Sequence, residues 1–313
     1  MVKPAAKMRC IRLALIPALL LLATLPANPQ VSANWMDPAN WSKVPAPIEA
    51  RNIVYFPADA PGFAPKSQVL DVFQNSAGAK SPVLVYMHGG AWNHGERPAS
   101  WQGFKPWLAA GFTVVNVEYR LVDVAPAPAA VQDVRCALNW IVRNAAAYHF
   151  DTSRVVTYGT SAGGHLALMA AVLPAANEID LPACKTQPHI AAVLDFYGPY
   201  HLEANATGTF PSPSVARWMG PDPQPSLLAK EHAMSPSTYV RKGIPPVFFA
   251  HGDADPVVPY QSDLEKKKDL DAAGIKNQFD TVPGGGHGKW TPEENQRVEL
   301  DSLKFLQTLH VIQ

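Results

Sequence analysis

This sequence has no excess of positive or negative charge. Its 26 Lys and Arg balance its 26 Asp and Glu, and only 17% of the chain is charged. A balanced surface has no footprint for nucleic acid or an anionic membrane, so neither is expected as a partner. Cysteine is scarce, at three residues. No pair of Cys or His residues stands at metal-ligand spacing with a supporting third, so no metal is expected, and no motif asks for a cofactor. Long apolar runs are limited to residues 13–25, shorter than the roughly 20 residues of a membrane span. Internal repeats and low-complexity segments are absent, which excludes repeat architectures.

What is present suits one large α/β domain: 313 residues, 47% of them hydrophobic, and 31 prolines that are not gathered into a linker. The first residues stand apart. Lys3, Lys7, Arg9 and Arg12 precede the apolar run, and a polar stretch then ends in Val31-Ser32-Ala33. A basic start, a short apolar middle and small residues at the end describe a secretory signal peptide over 1–33, with an uncleaved anchor as the alternative. Cys10 precedes the apolar run, which argues against a lipoprotein. The expectation is a secreted or periplasmic protein whose catalytic domain spans 34–313. In an oxidising compartment the remaining Cys136 and Cys184 are either joined as a disulfide or held as two separate buried thiols.

From Asn52 onward, apolar runs alternate with amphipathic segments. Runs at 53–56, 69–73, 83–87, 112–117, 154–158, 190–196, 247–250 and 278–282 read as strands, several unbroken as in strands covered on both faces. Val131, Val134, Leu138 and Ile141 repeat at helical spacing on a segment reaching about His149. Helices are also expected over 162–173 and 262–273, the latter charged and stopped by Gly274, and after Thr291-Pro292-Glu293-Glu294, where Thr291 can cap. This alternation predicts a mostly parallel eight-stranded sheet with helices on both faces, its site beyond the strands' carboxyl ends. The segment 201–239 between two strands is long enough to form an insertion or lid near that site.

The chemistry-bearing motifs stand at those strand ends. Gly159-Thr160-Ser161-Ala162-Gly163-Gly164 follows a strand and opens a helix, the context of a nucleophile elbow. Its turn is so sharp that a Cβ at Gly159 or Gly163 would strike a neighbour, while the Ser161 oxygen stands clear at a helix N-terminus. His88-Gly89-Gly90-Ala91-Trp92 follows the run 83–87. Its glycines let the Gly89 and Gly90 amides join that of Ala162 as an oxyanion hole, each donor worth about 3–4 kcal/mol in the transition state. His88 reads as a residue holding this loop. His251-Gly252-Asp253-Ala254-Asp255 and Gly284-Gly285-Gly286-His287-Gly288 close two later strands, which gives the chain order serine, acid, histidine. Ser161, Asp255 and His287 are the expected nucleophile, acid and base. Asp255 is favoured over Asp253, which reads as a loop residue bonding the backbone. His165, one helical turn after Ser161, reads as packing.

Taken together, these motifs resemble the esterase branch of the α/β-hydrolase superfamily, in particular the group of bifunctional acetyl-xylan and feruloyl esterases. The hormone-sensitive-lipase-like esterases and kynurenine formamidases stand next to it. Val117 to Leu121, Pro128 to Val134, Asp195-Phe196-Tyr197-Gly198 and Ser235-Pro236 extend the likeness over roughly 50–310. Ala91 stands where the lipase-like group usually has a third glycine, and Leu121-Val122-Asp123 follows Arg120 in place of that group's Pro-Glu step. The resemblance implies an α/β-hydrolase fold, an Arg120–Asp133 ion pair bracing a crossover, and a serine carboxylic ester hydrolase for short acyl or hydroxycinnamoyl esters. The substrate would be a small molecule or an ester linked to polysaccharide. Trp92, Trp101, Trp107, Trp218 and Trp290 either line an aromatic or sugar site or belong to the core. Export favours an ester outside the cell over kynurenine-formamidase work inside it. A prolyl-oligopeptidase-like peptidase shares the elbow but usually carries a large N-terminal propeller, for which there is no room. A binding protein on an inactive scaffold would be expected to lack one of the three residues.

Overall fold

A computed structural model describes residues 34–74, 80–202, 212–223 and 225–313. The expected signal peptide at 1–33 and residues 203–211 of the expected insertion lie outside the described residues.

Eight strands form one sheet: β1 Ile48–Val54, β2 Val69–Gln74, β3 Ser81–Met87, β4 Thr113–Val117, β5 Phe150–Thr160, β6 Ile190–Phe196, β7 Val247–Gly252 and β8 Asn277–Val282. Their order is β1-β2-β4-β3-β5-β6-β7-β8. β2 runs antiparallel to β1 and β4, and all other neighbouring pairs are parallel. The helices described are α1 Lys105–Ala109, α2 Ala129–Arg143, α3 Ala162–Val172, α4 Pro213–Met219, α5 Ser226–Met234, α6 Tyr260–Ala272 and α7 Pro292–Thr308.

The two-residue period of the strands sorts side chains into two cores. Val83, Val85 and Met87 of β3 face Val134 and Leu138 of α2, Leu166 of α3 and Leu270 of α6. Leu84, between them in sequence, faces the other way, toward Trp107 of α1 and Phe305 and Leu306 of α7. Such a strand must be apolar throughout, which is why the run 83–87 has no polar break. Each fully buried Val, Leu or Phe contributes about 1.5–3 kcal/mol. This is the α/β-hydrolase fold that the sequence implies.

Several boundaries differ from expectation, among them those of β1, β5 and α2. β5 begins at Phe150, four residues early. β1 begins at Ile48, five residues early, and ends before Tyr55 and Phe56. It is one of the sheet's two outer strands, where exposed and charged positions replace the apolar run that marks a central strand. α2 stops at Arg143 and does not reach His149, because Asn144 turns its side-chain amide back onto the Trp140 carbonyl at 2.8 Å and closes the helix. Other expectations hold: Gly274 follows α6 with φ +68°, and the Thr291 hydroxyl accepts from the Glu294 amide at 3.1 Å at the start of α7. Cys136 of α2 and Cys184 are joined by a disulfide, with Cα atoms 4.8 Å apart. Arg120 and Asp133 form the expected buried pair, the guanidinium donating to both carboxylate oxygens at 3.0 and 2.8 Å. Among the described residues, no helix is long and apolar enough to cross a membrane.

Candidate active site

The elbow is built by steric exclusion. Ser161 sits between β5 and α3 with φ +54° and ψ −122°, a backbone strain of about 1–3 kcal/mol in a non-glycine residue. The surrounding packing fixes it there. A Cβ on Gly159 would lie 2.2 Å from the Gly163 carbonyl, and one on Gly163 would lie 2.1 Å from the Met87 oxygen. β5, α3 and the end of β3 therefore touch through bare backbone, and the Ser161 amide donates to the Phe196 carbonyl at 2.8 Å. The strain exposes the hydroxyl at the N-terminus of a helix.

The imidazole arrives from the loop after β8. His287 Nε2 lies 2.8 Å from Ser161 Oγ, and His287 Nδ1 lies 2.7 Å from Asp255 Oδ2. The three residues chosen in the sequence thus form one continuous hydrogen-bonded row. Asp255 Oδ1 accepts from the Val257 and Val258 amides at 2.7 and 3.0 Å. Burial alone would raise this carboxyl, but bonds from His251, His287 and those amides hold it well below the usual carboxylate range. The aspartate is therefore an anion that fixes the imidazole's tautomer. Asp253 points elsewhere and accepts from the Gly284 amide at 2.6 Å, the loop role expected of it.

The loop after β3 lies against the elbow. A Cβ on Gly89 would come within 2.9 Å of the Thr160 carbonyl and 3.3 Å of Ser161 Cβ, so only glycine brings backbone this close to the serine. Gly90, at φ +122°, turns the chain and accepts from the Asn93 and His94 amides at 3.0 Å each. Among the described residues the amides of Gly89, Gly90 and Ala162 donate to no backbone carbonyl in this turn region. His88 anchors the loop: Nε2 is 3.1 Å from Glu118 Oε1, and its ring stacks on Tyr119 at 4.4 Å. Burial works to raise Glu118, but the bonds from His88 and Arg97 outweigh it and the carboxyl is lowered.

Several side chains carry more than their sequence setting announced. His251 bridges Asp255 Oδ2 at 3.1 Å and Asp263 Oδ2 at 2.9 Å, and Lys266 joins Asp263 to Asp195 at 2.6 Å on each side. Asp195 in turn accepts from the Gly198 amide at 3.0 Å. Asp263 and Lys266 are fully buried although they belong to a helix that reads as charged and exposed; their spacing of three residues, onto one face, is the signal that was available. Tyr197, at φ +46°, sets its ring 4.9 Å from that of His287. Burial pushes its phenol up to about 12, so it stays protonated. His165 packs as expected, bonded to the Met234 carbonyl at 2.8 Å and held down to about 4 by burial.

The tryptophans divide. Trp92, Trp107 and Trp218 are core residues and do not line an open site. Trp218 of α4 stacks on Trp92 at 4.4 Å, which ties the described part of the insertion to the loop after β3. Trp290, part-exposed, stands edge-on to Tyr197 at 5.3 Å. Among the described residues no group of three His, Cys, Asp or Glu is placed to hold a metal ion.

Comparison with known proteins finds esterases similar to this chain in sequence and fold. The sequence profile of the BD-FAE family matches residues 70–270. Esterase LipQ of Mycobacterium tuberculosis is 31% identical over 235 residues, 71% of this chain and 54% of that protein. The chain spans about half the length of the curated relatives it matches. Among solved structures, a truncated carbohydrate esterase from gut microbiota aligns with a TM-score of 0.68 and 26% identity, over 85% of this chain and 98% of that one. Esterase 2 of Thermogutta terrifontis with bound propionate aligns with a TM-score of 0.68 over 86% and 97%, and at 21% identity it shares the fold.

Proposed function

The chain belongs to the BD-FAE family, and on that premise we propose that it is a secreted serine carboxylic ester hydrolase working through Ser161, His287 and Asp255. The observation that carries this reading is the in-line row of 2.8 and 2.7 Å contacts from Ser161 Oγ through the imidazole to Asp255. His287 Nε2 accepts the serine proton as Oγ attacks the ester carbonyl carbon. Asp255 receives the Nδ1 hydrogen bond and balances the imidazolium that forms. The Gly89, Gly90 and Ala162 amides receive the negative oxygen. Collapse of the tetrahedral intermediate expels the alcohol, which takes the proton from His287 and leaves an acyl-serine. Water, deprotonated by the same imidazole, then releases the acid and restores the serine.

The substrates are short acyl or hydroxycinnamoyl esters of small or sugar-linked alcohols. The esterase names of the relatives and the carbohydrate-esterase name of the structural neighbour support this class. The test is hydrolysis of p-nitrophenyl acetate, butyrate and octanoate beside methyl ferulate and acetylated xylan. Wild type should label with a fluorophosphonate and show a burst, and Ser161→Ala should lose about 10⁴-fold or more of kcat/KM. Undiminished hydrolysis by Ser161→Ala would remove the assignment, and cleavage of proline peptides without esters would move it to the peptidases. Export is tested separately by N-terminal sequencing of the protein recovered outside the cytoplasm, with a start near residue 34 expected.

A further inference from the structure

His251 has no part in the row of three residues, yet it touches the carboxylate at its end. Its Nδ1 lies 2.9 Å from Asp263 Oδ2. Its Nε2 lies 3.1 Å from Asp255 Oδ2 and 3.1 Å from the Val258 carbonyl. Every partner is an acceptor, and neither a carboxylate nor a carbonyl has a proton to give. A neutral imidazole carries one N–H and must accept on its other nitrogen. Both ring nitrogens of His251 face acceptors, so both must donate, and the ring must be an imidazolium.

We propose that His251 is a positioning residue that carries its proton at neutral pH, sharing Asp255 Oδ2 with His287 and thereby setting the acidic limit of the enzyme's activity. The inference rests on the Ser161–His287–Asp255 reading. Among the described residues, the charged groups bonded to it or to its partners come from four elements. The loop after β7 supplies Asp255, α6 supplies Asp263 and Lys266, β6 supplies Asp195 through Lys266, and the loop after β8 supplies His287. Tyr260 stands edge-on at 5.8 Å and Tyr197 faces His287. With His251 and Lys266 cationic against Asp195, Asp255 and Asp263, this buried cluster carries one uncompensated negative charge. Protonation of His287 in the transition state cancels it. A neutral His251 would leave two, and the excess would draw a proton into the cluster before any substrate arrived. Burial opposes the charge on His251, but Asp255 and Asp263 overcome it and push the ring up to about 9.

The experiment is the pH profile of kcat/KM for wild type, His251→Gln and His251→Gln/Asp263→Asn, with p-nitrophenyl acetate. The acidic limb reports protonation of the free enzyme's base. It should move upward by about one pH unit in His251→Gln, giving about tenfold lower kcat/KM below the limb. The double variant removes one charge of each sign and returns the cluster to a single uncompensated negative charge, so the limb should move back toward wild type. A purely structural role would lower kcat/KM equally at every pH and leave the limb in place. A limb that coincides with wild type in folded His251→Gln overturns the proposal, and so does a double variant whose limb stays with that of His251→Gln. Nitrogen NMR of the wild-type protein at pH 7 decides it without any variant: two protonated ring nitrogens are expected at His251, and a neutral tautomer refutes it. If Ser161→Ala keeps its activity, the underlying reading fails. If Ser161→Ala is inactive and the limb does not move, only this inference fails.

Discussion

The two sides of the site are held by different physics. At the nucleophile, β5, α3 and β3 meet through glycine backbone with no room for a methyl group, and shape alone fixes Ser161. At the acid, Asp255 is held by a buried sequence of alternating charges running through His251, Asp263 and Lys266 to Asp195. Shape is rigid and indifferent to solvent conditions. A chain of ion pairs stabilises only while every member keeps its charge, since loss of one leaves its neighbours buried and uncompensated. The elbow must hold a strained backbone, which packing does well. In the proposed reaction the acid must answer a proton arriving at His287, which asks for adjustable electrostatics.

The sharpest way to break the shape side is Gly163→Ala. The new Cβ would lie 2.1 Å from the Met87 oxygen and 2.5 Å from the His88 oxygen, both backbone atoms that cannot swing aside. The elbow or the loop after β3 must shift, and displacement on that scale costs about 10²-fold in kcat/KM. No change of pH or salt should restore it. Near-normal activity in this variant would mean that the elbow is softer than the contacts require.

On the charge side the corresponding change is Lys266→Met. Lys266 is fully buried between Asp195 and Asp263 at 2.6 Å from each. Burial works against its charge, yet the two carboxylates raise its affinity for the proton. Removing the ammonium leaves two acids facing each other in the core, a loss of about 3–5 kcal/mol measurable as a lower urea midpoint. Unlike Gly163→Ala, it should be partly relieved by Asp263→Asn in the same chain.

This contrast also explains what the sequence disclosed. Ser161, His287, Asp255 and the glycines around them were legible because their constraints are local: a strand, a tight turn and a helix within a dozen residues. The parallel sheet was legible because strands covered on both faces are apolar throughout, as at 83–87. The charge network was not. Asp195 lies 71 residues from Lys266, and the spacing of Asp263 and Lys266 puts them on one helix face without saying that this face turns inward. His251 stood inside a quoted motif, but its role depends on Asp263 across the loop. Shape leaves a mark in a short window, whereas charge pairing appears only after folding.

A third, smaller effect separates the two sides by titration. His251 is raised to about 9 in the folded chain, above an unfolded value of about 6.5. A raised histidine contributes stability that is complete below pH ~6.5 and is lost as pH rises through about 9, on the order of 3 kcal/mol in all. Beside the elbow, His165 is depressed to about 4, so its cost appears only as pH falls below ~6.5. Between pH 7 and 9.5 only the acid side should weaken. The urea midpoint should therefore fall over that range in wild type and stay flat in a folded His251→Gln. A flat wild-type curve would contradict the ion-pair account.

The smallest effect sharpens the division where it is least clean. The loop carrying His287 is seated on the acid loop by shape as well as charge: a Cβ on Gly252 would meet the Gly285 oxygen at 2.1 Å, and the Ala254 amide donates to that same oxygen at 3.1 Å. Asp253 adds its bond to the Gly284 amide from an exposed position. Asp253→Ala removes that bond and leaves the row of Ser161, His287 and Asp255 intact. About 1 kcal/mol of stability and a few-fold of kcat/KM should be lost, with Asp253→Asn restoring most of both. Asp255→Ala should instead remove activity by orders of magnitude with the fold retained. The pair of variants assigns the two aspartates of one motif to different duties. If Asp253→Ala proved the more damaging to kcat/KM, the acid of the site would have to be Asp253, and the charge chain behind Asp255 would be scaffolding only.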